Sequence, residues 1–332
     1  DDLNHEELNK YVSKVKETKP NFAKNDFDKC LKLCGITDNS EDKVYPTLAG
    51  TMLFGDYPQS YYPQLFVACV VVPGIELGDT GAMGERFIDN KRIEGTIEEM
   101  ITGTMNFLTR NMKTSVIIDS RGQRINRTEY PLEALREAVA NSLIHRDYST
   151  QTENAYVSVY MYNDRIEIIN PGALYGTNKL EKLGTATTME SRNPTIVRIL
   201  EEKGDVIENR HSGIPTMKRE MKKYGLPEPE FYEERDSFKV IFRNTNTKPD
   251  QQVSGQVSGQ VGEQQKLVLN YCIEQKSTKE IMLHLGINSR RYIREKIIKP
   301  LVDEGRLDYT NKNHINASNQ KYVTIKNEET EK

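Results

Sequence analysis

Apolar and polar residues alternate with two different periods along this chain, and each change of period predicts a new helix or strand. The apolar run 65–72 is crowded with β-branched residues, which predicts a buried strand. Residues 93–112 have the spacing of a helix with one apolar face. Two alternating runs in 156–172 flank a polar pair and predict a hairpin. Further elements are predicted as helices at 131–146 and 193–204, as a loop that runs into a helix at 211–226, and as a strand at 237–244.

Helices that alternate with strands and a hairpin are typical of a mixed sheet layered with helices, so the predicted fold class is α/β. Polar helical segments are expected in 1–44, followed by the α/β domain in 45–245. Residues 246–262 contain a QVSG repeat that predicts a flexible linker, although the valine spacing would also allow a strand to pair elsewhere. Residues 263–326 predict three helices and a hairpin, the order of a winged helix-turn-helix.

The composition fits this division without pointing to a membrane or a secreted protein. The 332 residues are enough for about two domains, and 36% are hydrophobic and 29% charged. The longest apolar run has the length of a strand rather than the roughly 20 residues that cross a bilayer. The four cysteines do not suggest a disulfide framework, so a cytoplasmic location is expected. The first residue is not Met, so the sequence is expected to be part of a longer one.

One predicted helix, 131–146, carries polar residues where its apolar composition would not require them. Glu137, Asn141 and His145 recur every four residues and so form a stripe along the helix. One interpretation is structural, with these groups bonded to neighbouring backbone and to water. The other is chemical. An amide oxygen can ligate Mg²⁺, and a carboxylate can orient or deprotonate a water that attacks a phosphoryl group.

These residues also carry a family resemblance. Glu137-x-x-x-Asn141 resembles the first motif of the GHKL-type ATPases. The strings REAVANSLIHRDYS, DRIEIINPG and RNPTIVRIL are similar to a divergent branch of ATP-binding proteins and transcriptional regulators, some with a RecG-related label. Those proteins usually carry a Schlafen/AlbA-type domain, then a GHKL-like domain, then a winged helix. The resemblance implies a GHKL-like (Bergerat-type) α/β sandwich that binds ATP and Mg²⁺ and is at most a weak ATPase.

The resemblance assigns roles to the stripe and to two loops. Asn141 would ligate Mg²⁺, Glu137 would act on the attacking water as the catalytic residue, and His145 would bind the cofactor or brace the following loop through Asp147. Asn170-Pro171-Gly172 stands where a D-x-G loop contacts adenine, with Asn170 in place of Asp. Ser212 and Gly213 stand in the second glycine loop, before a helix whose N-terminus can seat phosphate. His211 replaces the first glycine of that loop.

Positive charge is concentrated in the C-terminal region. Residues 263–326 hold 12 Lys and Arg against 7 Asp and Glu, whereas the whole chain has a net charge of -3. In a helix-turn-helix, the start of the recognition helix meets base edges in the major groove. The alternative is a winged helix used for protein contact. The residues expected to contact DNA are Ser289, Arg290, Arg291, Tyr292, Arg294 and Lys312.

Three functions remain open from the sequence. The first is a DNA-binding transcriptional regulator whose nucleotide-binding core senses or weakly hydrolyses ATP. The second is an ATPase that the winged helix delivers to DNA, and the third and weakest is a protein-interaction scaffold. Double-stranded DNA and a nucleotide are the expected partners, and a homodimer is left open. The absence of a G-x-x-x-x-G-K-[ST] loop gives the helicase label no support.

Overall fold

The computed structural model divides the chain between Asn246 and Thr247 into two compact units, apart from residues 78–80, which are grouped with the second unit. The predicted linker, 246–262, lies outside the described residues. The described residues are 2–40, 43–118, 122–185, 190–204, 213–244, 264–265, 267–285, 287, 290, 293–311 and 320–325.

The helices of the first unit begin and end where local sequence signals place them. The fifth begins at a capping box of Thr96 and Glu99, and the seventh ends at Gly204, whose φ of 75° is left-handed and suits glycine. The predicted helices are therefore confirmed, with ends shifted by a few residues. In chain order the helices are α1 (His5–Thr18), α2 (Pro20–Ala23), α3 (Phe27–Leu33), α4 (Leu48–Phe54), α5 (Ile97–Asn111), α6 (Leu132–Ile144), α7 (Pro194–Lys203) and α8 (Gly213–Lys223).

A six-stranded mixed sheet forms the other layer of this unit. Its strand order is β4-β3-β7-β8-β10-β9, and only the β3–β7 pair is parallel among these strands. Two separate antiparallel hairpins are formed by β1–β2 and β5–β6. The strands are β1 (Thr37–Ser40), β2 (Lys43–Pro46), β3 (Val67–Val71), β4 (Asp89–Ile93), β5 (Thr114–Ile118), β6 (Arg124–Thr128), β7 (Val157–Met161), β8 (Arg165–Pro171), β9 (Glu230–Glu234) and β10 (Ser237–Arg243).

Helices α5 and α6 pack on the sheet, and α8 packs on α6. Side chains alternate between the two faces of a strand, so Ile166, Ile168 and Asn170 of β8 share one face. Ile166 and Ile168 are buried in the core that the sheet makes with the helices. The face of the sheet that carries Asn170 is therefore the face that the helices cover. This arrangement is a mixed α/β fold, as the sequence predicted.

The second unit has a small core of its own, built around Ile281, Ile293 and Leu301. Residues 267–271 are helical, and residues 293–298 form a turn of π-helix. Three short strands form an antiparallel sheet in the order β11-β13-β12. The labelled elements are β11 (Lys276–Ser277), α9 (Thr278–Leu285), α10 (Lys299–Asp303), β12 (Leu307–Tyr309) and β13 (Lys321–Thr324). None of the helices within the described ranges has the length and apolarity needed to cross a membrane.

Candidate functional site

A cavity of about 390 Å³ lies in the first unit, walled by α6, α7 and α8, by the sheet, and by the connections that follow β8. Its size is within the range of small-molecule sites, which is roughly 300–1,000 Å³. Most of its walls are apolar, and a few polar groups converge on it. Every predicted cofactor or catalytic residue that the structure describes lines this cavity: Glu137, Asn141, His145, Asn170, Gly172 and Gly213. Ser212 lies outside the described residues.

The polar stripe on α6 forms one wall of the cavity. Asn141 Nδ2 donates a hydrogen bond to Glu137 Oε1 at 3.2 Å, as the four-residue spacing predicts. Both side chains are partly buried, whereas the neighbouring Ala138 and Ser142 are buried in the helix packing. Since the amide nitrogen of Asn141 faces the carboxylate, its oxygen is left to face another group in the cavity.

Gly213, the first residue of α8, lies directly against this pair. A methyl group at that position would come within 2.2 Å of Glu137 Oε1 and 2.9 Å of Asn141 Nδ2. Only a residue without a side chain therefore lets the start of α8 approach the carboxylate and the amide so closely. The first N–H groups of a helix are not bonded within it, and they carry partial positive charge. The cavity thus combines a helix N-terminus with a carboxylate and an amide.

His145 is not part of the helix, although the predicted helix extended to residue 146. It is the C-cap of α6, and it is exposed along the cavity wall. Desolvation by the cavity walls and the nearby Arg192 guanidinium lower the pKa of His145. The brace through Asp147 stays a prediction, and the partners found for Asp147 are Arg192 at 3.3 Å and the Ser149 amide, which donates to it at 2.9 Å.

Arg146, the next residue, is 1% exposed and organises the loop that follows α6. Its guanidinium donates to three backbone carbonyls, those of Asp147 at 2.6 Å, Thr152 at 2.9 Å and Ala155 at 2.6 Å. Burial lowers the pKa of this guanidinium. Asn193 secures the same turn, since its Nδ2 donates to the carbonyls of Ile144 and Arg146, both at 2.8 Å. The HRDY string therefore builds the wall that presents His145.

Gly172 follows β8, lies against the loop after α6 and has a φ of 100°, a conformation that favours glycine. A methyl group there would come within 2.0 Å of Arg192 Nη1 and 2.5 Å of Asp147 Cβ. Arg192 Nη2 donates to the Ala173 carbonyl at 2.7 Å, so the guanidinium holds the chain after Gly172 in place. Arg192 lines the cavity, and the sequence interpretation missed it because nothing in the sequence places residue 192 beside residue 172.

Asn170 is 6% exposed, and its side chain lines the cavity. Among the described residues, no hydrogen bond to its side-chain amide is found. Its direct partner on β10 is Phe238, and Phe231 on β9 has its ring 6.3 Å from that of Phe238. Both rings line the cavity. The sequence interpretation missed this aromatic wall because β9 was not predicted, since its composition, EFYEE, is too acidic to suggest a strand.

The predicted DNA contacts are only partly described. Arg290 and Arg294 are both exposed in the second unit, Arg290 in a helical position and Arg294 in the turn of π-helix. Ser289, Arg291, Tyr292 and Lys312 lie outside the described residues.

The residues of the cavity fit a magnesium ion that is held mainly by its nucleotide. Within the described ranges, no group of three or more His, Cys, Asp or Glu could hold a metal ion. Mg²⁺ does not need such a cluster, because it commonly keeps several waters and binds one or two protein oxygens together with phosphate oxygens. The amide oxygen of Asn141, beside Glu137, is a suitable single ligand.

Part of this unit is similar to an ATPase-like family of proteins. Residues 154–242 match the family described as "Putative ATP-dependent DNA helicase recG C-terminal". The match covers about a quarter of the chain and includes Asn170, Gly172 and Gly213, whereas the α6 stripe lies before it. The match supports nucleotide binding.

The fold is similar to the crystal structure of the DIP2311 protein from Corynebacterium diphtheriae. The TM-score is 0.52 at 14% sequence identity, and the similarity covers 95% of this chain and 61% of that one. This chain therefore spans about three-fifths of the length of that structure. At this identity the similarity shows the fold alone. Comparison with curated protein sequences gives no match.

Proposed function

We propose that the first unit is a divergent GHKL-like core that binds ATP with Mg²⁺, and that the second unit is a winged helix that binds double-stranded DNA. The protein then acts as a DNA-binding transcriptional regulator whose core senses a nucleotide. The observation that carries the nucleotide site is the contact of Gly213, at the start of α8, with Glu137 and Asn141. This contact creates a polar corner in a cavity whose other walls are mostly apolar.

In this corner each group has one task. The backbone N–H groups of Gly213 and Ile214 at the start of α8 favour an anion, so the polyphosphate lies there. The Asn141 oxygen would hold Mg²⁺, which would neutralise phosphate charge when bound. Glu137 lies within hydrogen-bonding distance of Asn141 and orients the water that would attack the terminal phosphate. At the other wall, Asn170 and the Phe231 and Phe238 rings accommodate the base.

The proposal for the second unit rests on its elements and its charge. Its elements follow one another in the order of a winged helix. They are the helical residues 267–271, α9, the turn of π-helix with α10, and the antiparallel β12–β13 pair. Arg290, Arg294 and Lys299 are exposed along the third helical segment. Exposed cations on such a helix favour DNA phosphates, and they make the affinity dependent on salt.

The core is tested by calorimetric titration of the whole chain with ATP and ADP in millimolar Mg²⁺. Asn141→Ala should abolish the Mg²⁺-dependent part of the affinity, because the metal loses its protein ligand. Glu137→Gln should still bind, but any hydrolysis should fall by about 10²–10⁴ because the base is removed.

Glu133→Gln is the matched control, since Glu133 is one turn away on α6 and its side chain is 57% exposed in a surface ion pair. This control should change neither affinity nor turnover. If wild-type protein gives no heat of binding with either nucleotide, the proposed nucleotide site is wrong. Lower melting temperatures for Asn141→Ala and Glu137→Gln, without any nucleotide effect, would show that the stripe is structural.

A second candidate function, an ATPase delivered to DNA by the second unit, is favoured by the Glu137 carboxylate beside Asn141. Steady turnover of ATP that rises on addition of duplex DNA would support it. Nucleotide binding without turnover, together with intact DNA binding, would support the regulator instead.

A further inference from the structure

The side chain of Asn170 lines the cavity and has no hydrogen-bonding partner among the described residues. The residue as a whole is only 6% exposed, and its amide nitrogen and oxygen reach the open space of the cavity. An amide in this position can donate to and accept from a molecule that binds in the cavity. The feature therefore indicates a ligand group with hydrogen-bonding atoms at its edge.

The surroundings of Asn170 show what shape of ligand fits. Its register partner, Phe238, lies beside it on β10, and the rings of Phe231 and Phe238 are inclined by 28°. Ile168 precedes Asn170 on the same face of β8 and also lines the cavity. Flat aromatic rings pack well against such walls. A planar heterocycle whose edge faces Asn170 satisfies both the apolar wall and the amide.

A second asparagine in the same cavity wall shows what is unusual about Asn170. Asn178 Nδ2 donates to the Glu190 carbonyl at 2.8 Å, and Asn178 Oδ1 accepts from the Glu190 amide at 2.9 Å. These two bonds fix which end of the Asn178 amide points in which direction. Nothing in the described part of the chain fixes the Asn170 amide. A half-turn about its last side-chain bond therefore exchanges its donor and its acceptor.

We propose that Asn170 sets the base specificity of the cavity and makes it accept purines with a carbonyl at position 6 as well as adenine. The proposal rests on the nucleotide site proposed above. An amide nitrogen donates to a 6-carbonyl, and after the half-turn the amide oxygen accepts from the 6-amino group of adenine. A carboxylate at this position would only accept, and it would restrict the site to adenine.

The test is a calorimetric comparison of ATP, inosine triphosphate and GTP on the whole chain in Mg²⁺. Inosine triphosphate differs from ATP at the base edge without adding the 2-amino group of guanine, so it isolates the 6-position. Wild-type protein should bind ATP and inosine triphosphate with affinities within about 5-fold. Asn170→Asp should weaken inosine triphosphate relative to ATP by at least about 10-fold, because the donor is lost.

Asn9→Asp, at an exposed position on α1, is the matched control, and it should leave the ratio of the two affinities unchanged. Asn170→Leu should weaken both nucleotides alike, which gives a second variant if the carboxylate destabilises the fold. ATP bound more than about 10-fold tighter than inosine triphosphate by the wild type would overturn the proposal while leaving the nucleotide site standing. Absence of binding for all three nucleotides would overturn both the base specificity proposed for Asn170 and the nucleotide site itself.

Discussion

The two walls of the cavity use polar residues in opposite ways. On the helical wall, Glu137 and Asn141 bond to each other, lie against Gly213 and line the cavity. On the loop wall, Arg146 and Arg192 bond backbone carbonyls and hold the chain in shape. The comparison indicates that the most recognisable string of this sequence, HRDY, mainly holds the loop in shape. The proposed nucleotide chemistry depends instead on Glu137 and Asn141 of α6.

The largest expected effect is a loss in the free energy of unfolding when the loop wall is changed. Arg146→Ala truncates a buried side chain and removes the donor of the Ala155 carbonyl, whereas the Asp147 carbonyl keeps Thr152 Oγ1 and the Thr152 carbonyl keeps the Ala155 N–H. The free energy of unfolding should fall by about 2 kcal/mol or more, since an unpaired buried group costs about 1–3 kcal/mol and the missing side chain leaves a cavity. Urea denaturation measures this loss. Arg219→Ala, which breaks only ion pairs of a half-exposed side chain, should cost less than about 1 kcal/mol. Equal losses for the two variants would contradict the structural role of Arg146.

A change on the helical wall should instead weaken ATP binding and leave stability almost unchanged. Gly213→Ala places a methyl group where the ends of the Glu137 and Asn141 side chains now lie. These ends can swing aside at little cost in stability, but the pair is then separated. ATP affinity should fall by at least about 10-fold, which corresponds to about 1.4 kcal/mol, while the melting temperature changes little. Gly78→Ala, where a methyl group would meet nothing within 4 Å, is the control for calorimetry. Unchanged ATP affinity in Gly213→Ala would show that the polyphosphate does not bind at the start of α8.

The smallest effect concerns His145, where the two walls meet. Its pKa is lowered in the folded protein by desolvation and by Arg192. The unfolded chain binds a proton as the pH falls through about 6.5, whereas the folded chain stays neutral to lower pH. Stability should therefore decrease as the pH falls below about 6.5, until the lowered pKa is reached. His145→Gln should reduce the difference in melting temperature between pH 7.5 and pH 5.5. An identical difference in the variant would show that other groups cause it.

The sequence was sufficient where periodicity and local signals decide structure. The helix that carries Glu137 and Asn141, and the hairpin of β7 and β8, are where the alternating patterns predicted them. The stripe on α6 also predicted that Glu137 and Asn141 are neighbours, because residues four apart lie on the same face of a helix, and the structure adds the hydrogen bond between them.

The sequence was insufficient where structure depends on contacts between distant residues. Arg192 lies beside Gly172, and no local pattern records that contact. Strand β9 is polar because it is an edge strand, so it needs no apolar alternation of the kind that reveals a buried strand. Its absence from the prediction hid Phe231 and the aromatic wall beside Asn170.

The first helix has a consequence for how the chain is made. Tyr11 donates a hydrogen bond to Glu202, 191 positions later, and Lys14 Nζ donates to the Lys203 carbonyl at 2.5 Å. On a ribosome that adds 5–20 residues per second, α1 waits roughly 10–40 s before α7 exists to receive it. During that interval the side chains of Tyr11 and Val15, which are buried in the finished protein, lack their final surroundings. Such late closure of a long loop slows folding and leaves apolar surface open to chaperones.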